Sequence, residues 1–311
     1  MTEVAQQAGM VAAATADDVR ADTAPSPKRP PLADTWWRHL IGLAACVVAL
    51  FPVVYVASAA FSRDATLSGA SAIPSHITLH NFGLLFHDKS NPFLRWLLNS
   101  MIVAVSTALL TVLLGALASY AFSRFRFKGR RIGMLFLLLV QMFPQLLAVV
   151  AIYLIVLHVG DVFSGIGLNT LSGLIIVYLG GVLGVNTWLM KGFFDTIPPE
   201  LDESARVDGA TPAQVFWGVV LPLAAPVLAV IALFSFIFTL NEFVVASVIL
   251  QSPSSHYTLP LGMRVFIDQQ YDQHWGPFAA GVLIAGIPVM ILFMFLQRFI
   301  VSGLTQGSVK G

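Results

Sequence analysis

Long apolar runs separated by short polar segments dominate the chain from residue 40 onward. An α-helix rises 1.5 Å per residue, so about 20 mostly apolar residues cross the roughly 30 Å hydrocarbon core of a bilayer. The runs that meet this length are residues 40–60, 97–122, 132–159, 171–190, 217–240 and 278–301. The sequence lacks the alternating segments of about ten residues that are typical of membrane barrels. The pattern therefore predicts an all-α, polytopic membrane protein with six transmembrane helices.

Composition narrows the class of protein further. Of the 311 residues, 57% are hydrophobic and 11% are charged, whereas soluble domains carry about 25% charged residues. This balance excludes an ordinary soluble enzyme, and it also excludes a disordered chain, which needs low hydrophobicity and high net charge. The net charge of +1 does not favour nucleic acid as a partner. The single cysteine, Cys46, allows no internal disulfide, and we expect no metal site and no catalytic residue.

Lysine and arginine indicate the orientation in the membrane. If the N-terminus is cytoplasmic, the inside segments hold 13 of the 17 basic residues and the outside segments hold four. Because cytoplasmic loops are enriched in basic residues, we expect both termini inside. Residues 1–35 contain few large apolar side chains and are expected to form a disordered cytoplasmic tail. Residues 36–311 then form the transmembrane domain.

The first apolar run also has features of a secretion signal. Ala57-Ser58-Ala59 has the small-residue pattern of a signal-peptidase site, and Arg38 precedes the run. However, the run of about 21 residues is longer than the apolar region of a signal peptide, and a long tail precedes it. We therefore expect an uncleaved first helix.

The segment at 196–222, between the fourth and fifth runs, has the signals of two short helices joined by a tight turn. Pro198 and Pro199 mark the start of the first helix, since proline suits the first turn. Gly209 is expected to end it with a positive φ. Thr211 and Gln214 then form a capping box that starts the second helix at once. These signals by themselves fit either a rigid projection on the cytoplasmic face or an ordinary amphipathic surface helix.

The residues of this segment resemble the EAA signature of ABC-importer permeases. The matching positions are Glu203, Ser204, Ala205, Asp208, Gly209, Ala210, Phe216, Leu221 and Pro222. In that family the signature forms a coupling helix that sits in a cleft on the ATP-binding subunit, which implies a coupling helix at about 199–209 here. Ser204 stands where the signature usually has alanine, and serine is also small. We call residues 196–222 the coupling segment.

Further motifs resemble maltose/maltodextrin permease subunits of the MalG type from about residue 40 to the end of the chain. They include Ser71-Ala-Ile-Pro-Ser75, Gln141-Met-Phe-Pro144, Tyr178-Leu-Gly-Gly181 and Val301-Ser-Gly-Leu-Thr305. The resemblance implies the type I ABC-importer permease fold in the bacterial inner membrane. It also implies three partners: a second, MalF-type permease, a dimer of ATP-binding subunits and an extracytoplasmic sugar-binding protein. The substrate implied is maltose, maltodextrin or a related oligosaccharide such as trehalose.

The chain is expected to be a non-catalytic subunit. It contains no G-x-x-x-x-G-K-[ST] phosphate-binding motif, so we expect no cofactor on this chain and ATP with Mg²⁺ on the partner ATPase.

The last outside segment, residues 251–277, is rich in amides and aromatic rings. Its composition fits a solvated loop, and it also fits a surface that meets carbohydrate or protein. In MalG-type subunits this loop reaches into the sugar cleft of the binding protein. The resemblance gives these candidate tip residues: His256, Tyr257, Gln269, Gln270 and Tyr271.

The C-terminal tail of MalG-type subunits inserts between the ATPase subunits. The corresponding candidates here are Gln306, Gly307, Ser308 and Lys310. A frayed chain end is the alternative.

Polar residues within the apolar runs are candidates for the translocation pathway or for gating, because polar groups are costly in lipid. They are Gln141, Pro144, Gln145, Asn186, Asn241 and Glu242. Glu242 also fits a carboxylate that reaches the outer interface or pairs with a neighbouring subunit. Pro144 also fits a simple packing kink.

A stand-alone secondary transporter is the alternative function. It would need coupling-ion sites and usually has internal repeats with broken helices, whereas this sequence has few ionisable residues within its apolar runs and no visible repeat. A membrane hydrolase using Ser164 and His158 lacks the required motif context.

Overall fold

The computed structural model describes residues 32–63, 77–88, 90–268 and 274–306. In these ranges the secondary structure is helical apart from one antiparallel bridge between Ser62 and Ile77, which confirms the all-α class. The main helices are α1 Leu32–Phe61, α2 His80–His87, α3 Phe93–Arg124, α4 Arg130–Gln141, α5 Gln145–Val162, α6 Leu171–Phe194, α7 Pro199–Val207, α8 Pro212–Leu223, α9 Ala225–Asn241, α10 Val244–Ile249, α11 Leu259–Met263 and α12 Trp275–Gln306.

Five of these helices are long and apolar enough to cross a membrane, and the bent pair α8–α9 raises the number to six. The five single helices are α1, α3, α5, α6 and α12. α1 begins at Leu32, before the transmembrane domain predicted from the sequence. Contacts divide the chain within α1, so that residues 54–311 form one unit. Every site described below lies in that unit.

The predicted third run is not one continuous helix, which corrects the expectation for residues 132–159. α4 ends at Gln141, and α5 begins only at Gln145, after Pro144 in an extended conformation (φ −60°, ψ 117°). Proline has no N–H to donate and disfavours a helical conformation in the residue before it. The break therefore lies where the Gln141–Pro144 motif is.

The predicted fifth run is also divided. α8 and α9 meet at Ala224 with a bend of 76°. Pro226 lies in the first turn of α9, where it cannot donate a hydrogen bond to the preceding helical turn. The bend turns α8 away from α9, and α8 belongs to the coupling segment.

α3 is the central helix, and it packs along α6 and α9. Thr107, Thr111, Gly115 and Ser119 recur every four residues on α3 and are buried. Small residues at this spacing allow two helix backbones to approach closely. A Cβ on Gly115 would lie 3.1 Å from the Met190 sulfur of α6. The small-residue stripe of α3 therefore fixes the α3–α6 contact.

Two buried apolar clusters lie near opposite ends of α3. Cluster A surrounds the start of the helix and contains Ala59, Ala60, Leu85, Phe93, Trp96, Leu259, Met263, Phe266, Ala279 and Ala280. Cluster B surrounds its end and contains Ala116, Tyr120, Met190, Phe194, Ile197, Val215, Phe216, Val220, Ala224 and Ile231. Cluster A supports the predicted outside loops, and cluster B supports the coupling segment.

Much of the apolar surface faces outward. On α5, Leu146 and Leu147 are 71% and 69% exposed. Exposed apolar faces such as that of α5 are typical of surfaces that meet lipid or another protein.

Candidate functional sites

The turn of the coupling segment has the geometry expected from its sequence. α7 begins at Pro199, and Gly209 has φ +89°. The Ala210 N–H donates to the Ala205 carbonyl at 2.9 Å, and the Gly209 N–H donates to the Arg206 carbonyl at 3.0 Å. This pair of bonds is the Schellman motif, in which the C′ residue adopts the left-handed conformation. The predicted helix stop at Gly209 is confirmed.

The capping box that starts α8 is also confirmed. The Gln214 N–H donates to Thr211 Oγ1 at 3.3 Å, and the Thr211 N–H donates to Gln214 Oε1 at 2.8 Å. Pro212 occupies the first turn. Only Asp208 to Thr211 separate the two helices, so their relative direction is fixed by hydrogen bonds on both sides of the turn.

The residues of the EAA-like signature divide between two environments. The exposed residues are Glu203, Ser204, Asp208, Gly209 and Pro222. The side chains that belong to cluster B or pack against it are Ala205, Ala210, Phe216 and Leu221. The first group is available to a partner, whereas the second group holds the coupling segment on the transmembrane helices.

Val207 is a residue of this surface that the sequence reasoning missed. It is 87% exposed at the last position of α7. It adds an apolar group to the exposed face of α7 beside Glu203 and Ser204. The available signal was an isolated valine in an otherwise polar turn.

A buried ion pair joins α7 to the end of α3, and it too was missed. Arg124 Nε donates to Asp202 Oδ2 at 2.8 Å, and the side chains are 10% and 5% exposed. Arg124 Nη2 also donates to the Ile197 carbonyl at 2.9 Å. In the sequence Arg124 was one of several basic loop residues, and Asp202 was one of several acids in a helical first turn. Nothing local showed that the two meet.

Asp195, at the end of α6, is linked to the same end of α3. Its carboxylate accepts hydrogen bonds from Ser123 Oγ at 2.7 Å and from Lys191 Nζ at 2.5 Å. Burial acts to raise the pKa of Asp195, but these bonds and the charges of Lys191 and Arg130 hold the pKa below its ordinary value. The interaction therefore stabilises the fold at neutral pH and is lost as the pH falls through the carboxyl range.

The polar candidates in the transmembrane helices do not form one site. Gln141, Pro144 and Gln145 line a cavity of about 920 Å³ between the α4–α5 break and α6. A Cβ on Gly184 of α6 would lie 2.9 Å from the Gln141 side chain and the Leu137 carbonyl oxygen, so glycine is required for this close approach. Asn186, Asn241 and Glu242 do not line the cavity.

Those three residues have separate local roles. Asn186 Nδ2 donates to Ser235 Oγ at 3.2 Å, which joins α6 to α9. Asn241 Nδ2 donates to the Ile237 carbonyl of its own helix at 2.8 Å. Glu242 accepts the backbone N–H groups of Val245 and Ala246 at 2.8 and 3.1 Å and the Tyr178 hydroxyl at 2.5 Å.

Glu242 is therefore a cap for the first turn of α10 as well as a cross-link to α6. These three bonds account for its half-buried position between α9 and α10, and its role in the pathway stays a prediction.

The outer loop residues His256 and Tyr257 are anchored rather than free. His256 Nδ1 donates to the Asn169 carbonyl at 2.8 Å, and the Tyr257 hydroxyl donates to the Gln251 carbonyl at 3.0 Å. Tyr257 also packs against cluster A. Their side chains thus bond back onto the protein, and their role as tip residues stays a prediction.

Asn169 is the centre of this anchor. It has φ +59°, and its N–H donates to the Ile249 carbonyl at 2.9 Å. Its Oδ1 accepts the N–H groups of Gln251 and Ser252 at 2.7 and 2.9 Å. With the His256 bond, Asn169 makes three hydrogen bonds to the segment 251–277 and one to Ile249 at the end of α10. We call this arrangement the Asn169 clamp.

The start of α3 holds the same loop from the other side. Trp96 Nε1 donates to the Ser254 carbonyl at 2.8 Å. Asn99 Nδ2 donates to the carbonyls of Ser255 and Tyr257, both at 2.9 Å. The path of the loop from Gln251 to Tyr257 is thus set by side chains more than 80 residues away in sequence.

Some predicted residues lie outside the described part of the chain. They are Gln269, Gln270 and Tyr271 of the outer loop, Gly307, Ser308 and Lys310 of the tail, the Ser71–Ser75 motif and most of the predicted N-terminal tail. Gln306 is the last residue of α12, but its side chain lies outside the described part of the chain.

The fold and the site together define the class: a polytopic helical membrane protein with a short helix pair, α7 and α8, next to its transmembrane helices. The family model of the binding-protein-dependent transport system inner membrane component matches residues 111–306. The chain belongs to this family.

Individual relatives agree with the family match. The chain is 39% identical over 274 residues to the galactooligosaccharides transport system permease protein GanQ of Bacillus subtilis, covering 88% of this chain and 94% of GanQ. It is also 39% identical over 287 residues to the maltose/maltodextrin transport system permease protein MalG of Vibrio vulnificus, covering 89% and 96%. The expected resemblance to MalG-type permeases is confirmed.

A solved structure has the same fold. It is the crystal structure of a bacterial ABC transporter involved in the import of the acidic polysaccharide alginate. It matches 88% of this chain and 99% of its own, with a TM-score of 0.71 and 23% identity. The expected permease fold is thereby confirmed.

Proposed function

We propose that this chain is the permease subunit of an ATP-driven importer of oligosaccharides. The observation that carries the proposal is the exposed face of α7, with Glu203, Ser204 and Val207 outward and the turn at Gly209 fixed by hydrogen bonds. This is a rigid surface at the end of the transmembrane helices, as a subunit needs when it receives motion from an ATPase.

The proposed partners are a second, MalF-type permease, a dimer of ATP-binding subunits and an extracytoplasmic sugar-binding protein. The first would complete the pathway, because one chain of this size leaves large apolar faces open, among them that of Leu146 and Leu147. The ATPase would bind ATP and Mg²⁺, since this sequence has no phosphate-binding motif of its own. This chain would be non-catalytic.

The proposed substrate class is uncharged oligosaccharides. Relatives of equal identity are named for galactooligosaccharides and for maltose/maltodextrin, so the resemblance supports the class and not one sugar. Gln141 and Gln145 beside the α4–α5 break carry amides, which suit hydroxyl groups as donors and acceptors.

Both termini are proposed to lie in the cytoplasm, with the coupling segment on that side. The excess of lysine and arginine in the corresponding loops supports this orientation. The tail with Gln306, Gly307, Ser308 and Lys310 is proposed to contact the ATPase. The loop with Gln269, Gln270 and Tyr271 is proposed to meet the binding protein.

In the proposed cycle, ATP binding closes the ATPase dimer and displaces α7. Because α8 joins α9 directly at Ala224, displacement of the coupling segment changes the positions of the transmembrane helices. The pathway then opens to the outside and receives sugar from the binding protein. ATP hydrolysis returns the helices to the inward-facing arrangement.

The test is purification of the chain from its native host in mild detergent, followed by reconstitution of the co-purifying subunits in liposomes. We expect an ATPase and a second permease to co-purify. With binding protein, the liposomes should take up maltotetraose or a galactotriose only when ATP is present on the ATPase side. Uptake by the isolated chain without ATP would instead establish a secondary transporter.

A further inference from the structure

The Arg124–Asp202 ion pair joins α7, whose exposed face is proposed to contact the ATPase, to the end of the transmembrane helix α3. Asp202 is the one residue of α7 that is fully buried. Its neighbours Leu201 and Glu203 are exposed. Ala205 packs against cluster B, and the Asp202 carboxylate adds an ion pair between α7 and the end of α3.

Stability alone does not explain a buried ion pair at this position. Removing two charges from water costs several kcal/mol per ion, and replacing such a pair by apolar residues is often neutral or stabilising. Asp202 Oδ1 is also buried without a hydrogen-bond partner among the described residues, which adds to the cost. A hydrogen-bonded ion pair does, however, fix the direction and distance between its two groups.

The pair also lies at a junction of several elements. Arg124 is the last residue of α3, and it bonds both to α7 and to the Ile197 carbonyl before α7. The adjacent Ser123 bonds to Asp195 at the end of α6. The end of α3 is therefore bonded to the segments before and within the coupling helix, and α3 packs along both α6 and α9.

We propose that Arg124 and Asp202 are positioning residues that tether α7 to α3, so that displacement of α7 by the ATPase moves α3 with it. The inference rests on the proposed function, because it assumes that an ATPase acts on α7. In this arrangement the ion pair stays closed throughout the cycle. The coupling helix then has two routes into the transmembrane helices, through α8 to α9 and through the ion pair to α3.

The experiment measures sugar molecules transported per ATP hydrolysed by the reconstituted complete complex. Arg124→Gln and Asp202→Asn should each lower this ratio about threefold to tenfold, the range expected when a residue that couples two sites is removed. The exchange variant with Arg124→Asp and Asp202→Arg should recover at least half of the ratio. Arg126→Gln is the matched control, because this arginine is exposed two residues after Arg124, and it should behave as wild type.

A purely structural role would lower the yield of assembled complex and leave the ratio of the surviving complex unchanged, which would overturn the inference. A wild-type ratio in both single variants would do the same. If the wild-type complex shows no ATP-dependent uptake, the proposed function fails and not the tether alone.

A covalent tether decides the matter if the single variants do not assemble. In a Cys46→Ser background with cysteine-free partners, Arg124→Cys and Asp202→Cys are joined by a short bis-maleimide, which adds to both thiols. The linked complex should transport with a higher ratio than the unlinked one. Loss of transport on linking would mean that α3 and α7 must separate during the cycle, contrary to the inference.

Discussion

At the residue scale, Asn169 shows how one side chain fixes the start of a loop. A positive φ is tolerated by asparagine better than by most residues, and this conformation aims its side chain at the loop backbone. The Oδ1 atom satisfies two N–H groups, of Gln251 and Ser252, that have no helix or sheet to pair with. The proposed binding-protein loop therefore leaves the membrane from a defined position.

Substitutions at Asn169 separate its two properties. Asn169→Gly keeps the positive φ but removes Oδ1, whereas Asn169→Asp keeps an acceptor at that position. We expect Asn169→Gly to reduce stimulation of the ATPase by sugar-loaded binding protein by about twofold or more, as a loss of coupling between sites. Basal ATPase should not change, and Asn169→Asp should retain stimulation. Equal stimulation in both variants would show that the clamp does not matter for docking.

Glu242 gives a second prediction at this scale, for stability. Glu242→Ala leaves the Tyr178 hydroxyl and the buried N–H groups of Val245 and Ala246 without their acceptor. An unsatisfied buried group costs about 1–3 kcal/mol, so the midpoint of thermal unfolding in detergent should fall clearly. Asn241→Ala is the control, since Asn241 is exposed and bonds only within its own helix. Equal midpoints for the two variants would refute the capping role.

At the element scale, the coupling segment depends on the turn between α7 and α8. The positive φ of Gly209 and the capping box of Thr211 set the angle at which α7 projects. Gly129 before α4 has the same φ of +89°, and a Cβ on either glycine would meet nothing within 4 Å. The two glycines therefore share a φ and open surroundings, but Gly209 ends α7 whereas Gly129 precedes α4.

This similarity allows a matched comparison of Gly209→Ala and Gly129→Ala. Alanine at a positive φ costs about 1 kcal/mol, so both variants should lose similar stability. Only Gly209→Ala should lower the number of sugar molecules transported per ATP, because only that turn sets the angle of α7. Gly209→Pro should uncouple more strongly, since proline cannot adopt this φ. Wild-type transport by Gly209→Pro would contradict the role of the turn.

At the scale of the whole molecule, the clusters at the two ends of α3 support different surfaces. Cluster A and the Asn169 clamp hold the outer loop, and cluster B holds the coupling segment. The proposed orientation requires these surfaces to lie on opposite sides of the membrane. α3 spans the distance between them as one 32-residue helix.

Cysteine labelling tests this orientation. Starting from Cys46→Ser, we would introduce Ser254→Cys in the outer loop and Arg126→Cys after α3, both at exposed positions. A membrane-impermeant maleimide should label Ser254→Cys in intact spheroplasts and Arg126→Cys only after permeabilisation. The opposite pattern would reverse the proposed topology.

The sequence determined the features that depend on local chemistry. Apolar run length predicts helices that can cross a membrane, because backbone groups in lipid must bond within the helix. The stop at Gly209 and the capping box at Thr211 are equally local, since each depends on residues three to five apart. Pro144 marked a disturbance of its helix, but proline by itself does not say whether a helix bends or ends.

Tertiary structure alone decided which of the polar residues meet. Arg124 and Asp202 are 78 residues apart, and Asn169 is 82 residues from Gln251. Neither pair leaves a periodic or compositional signal. For Glu242 the sequence left open a pathway role or a paired carboxylate, and the fold shows its partners: the Tyr178 hydroxyl and the N–H groups of Val245 and Ala246. Such contacts depend on how helices pack, and packing is set by the shapes of many side chains together.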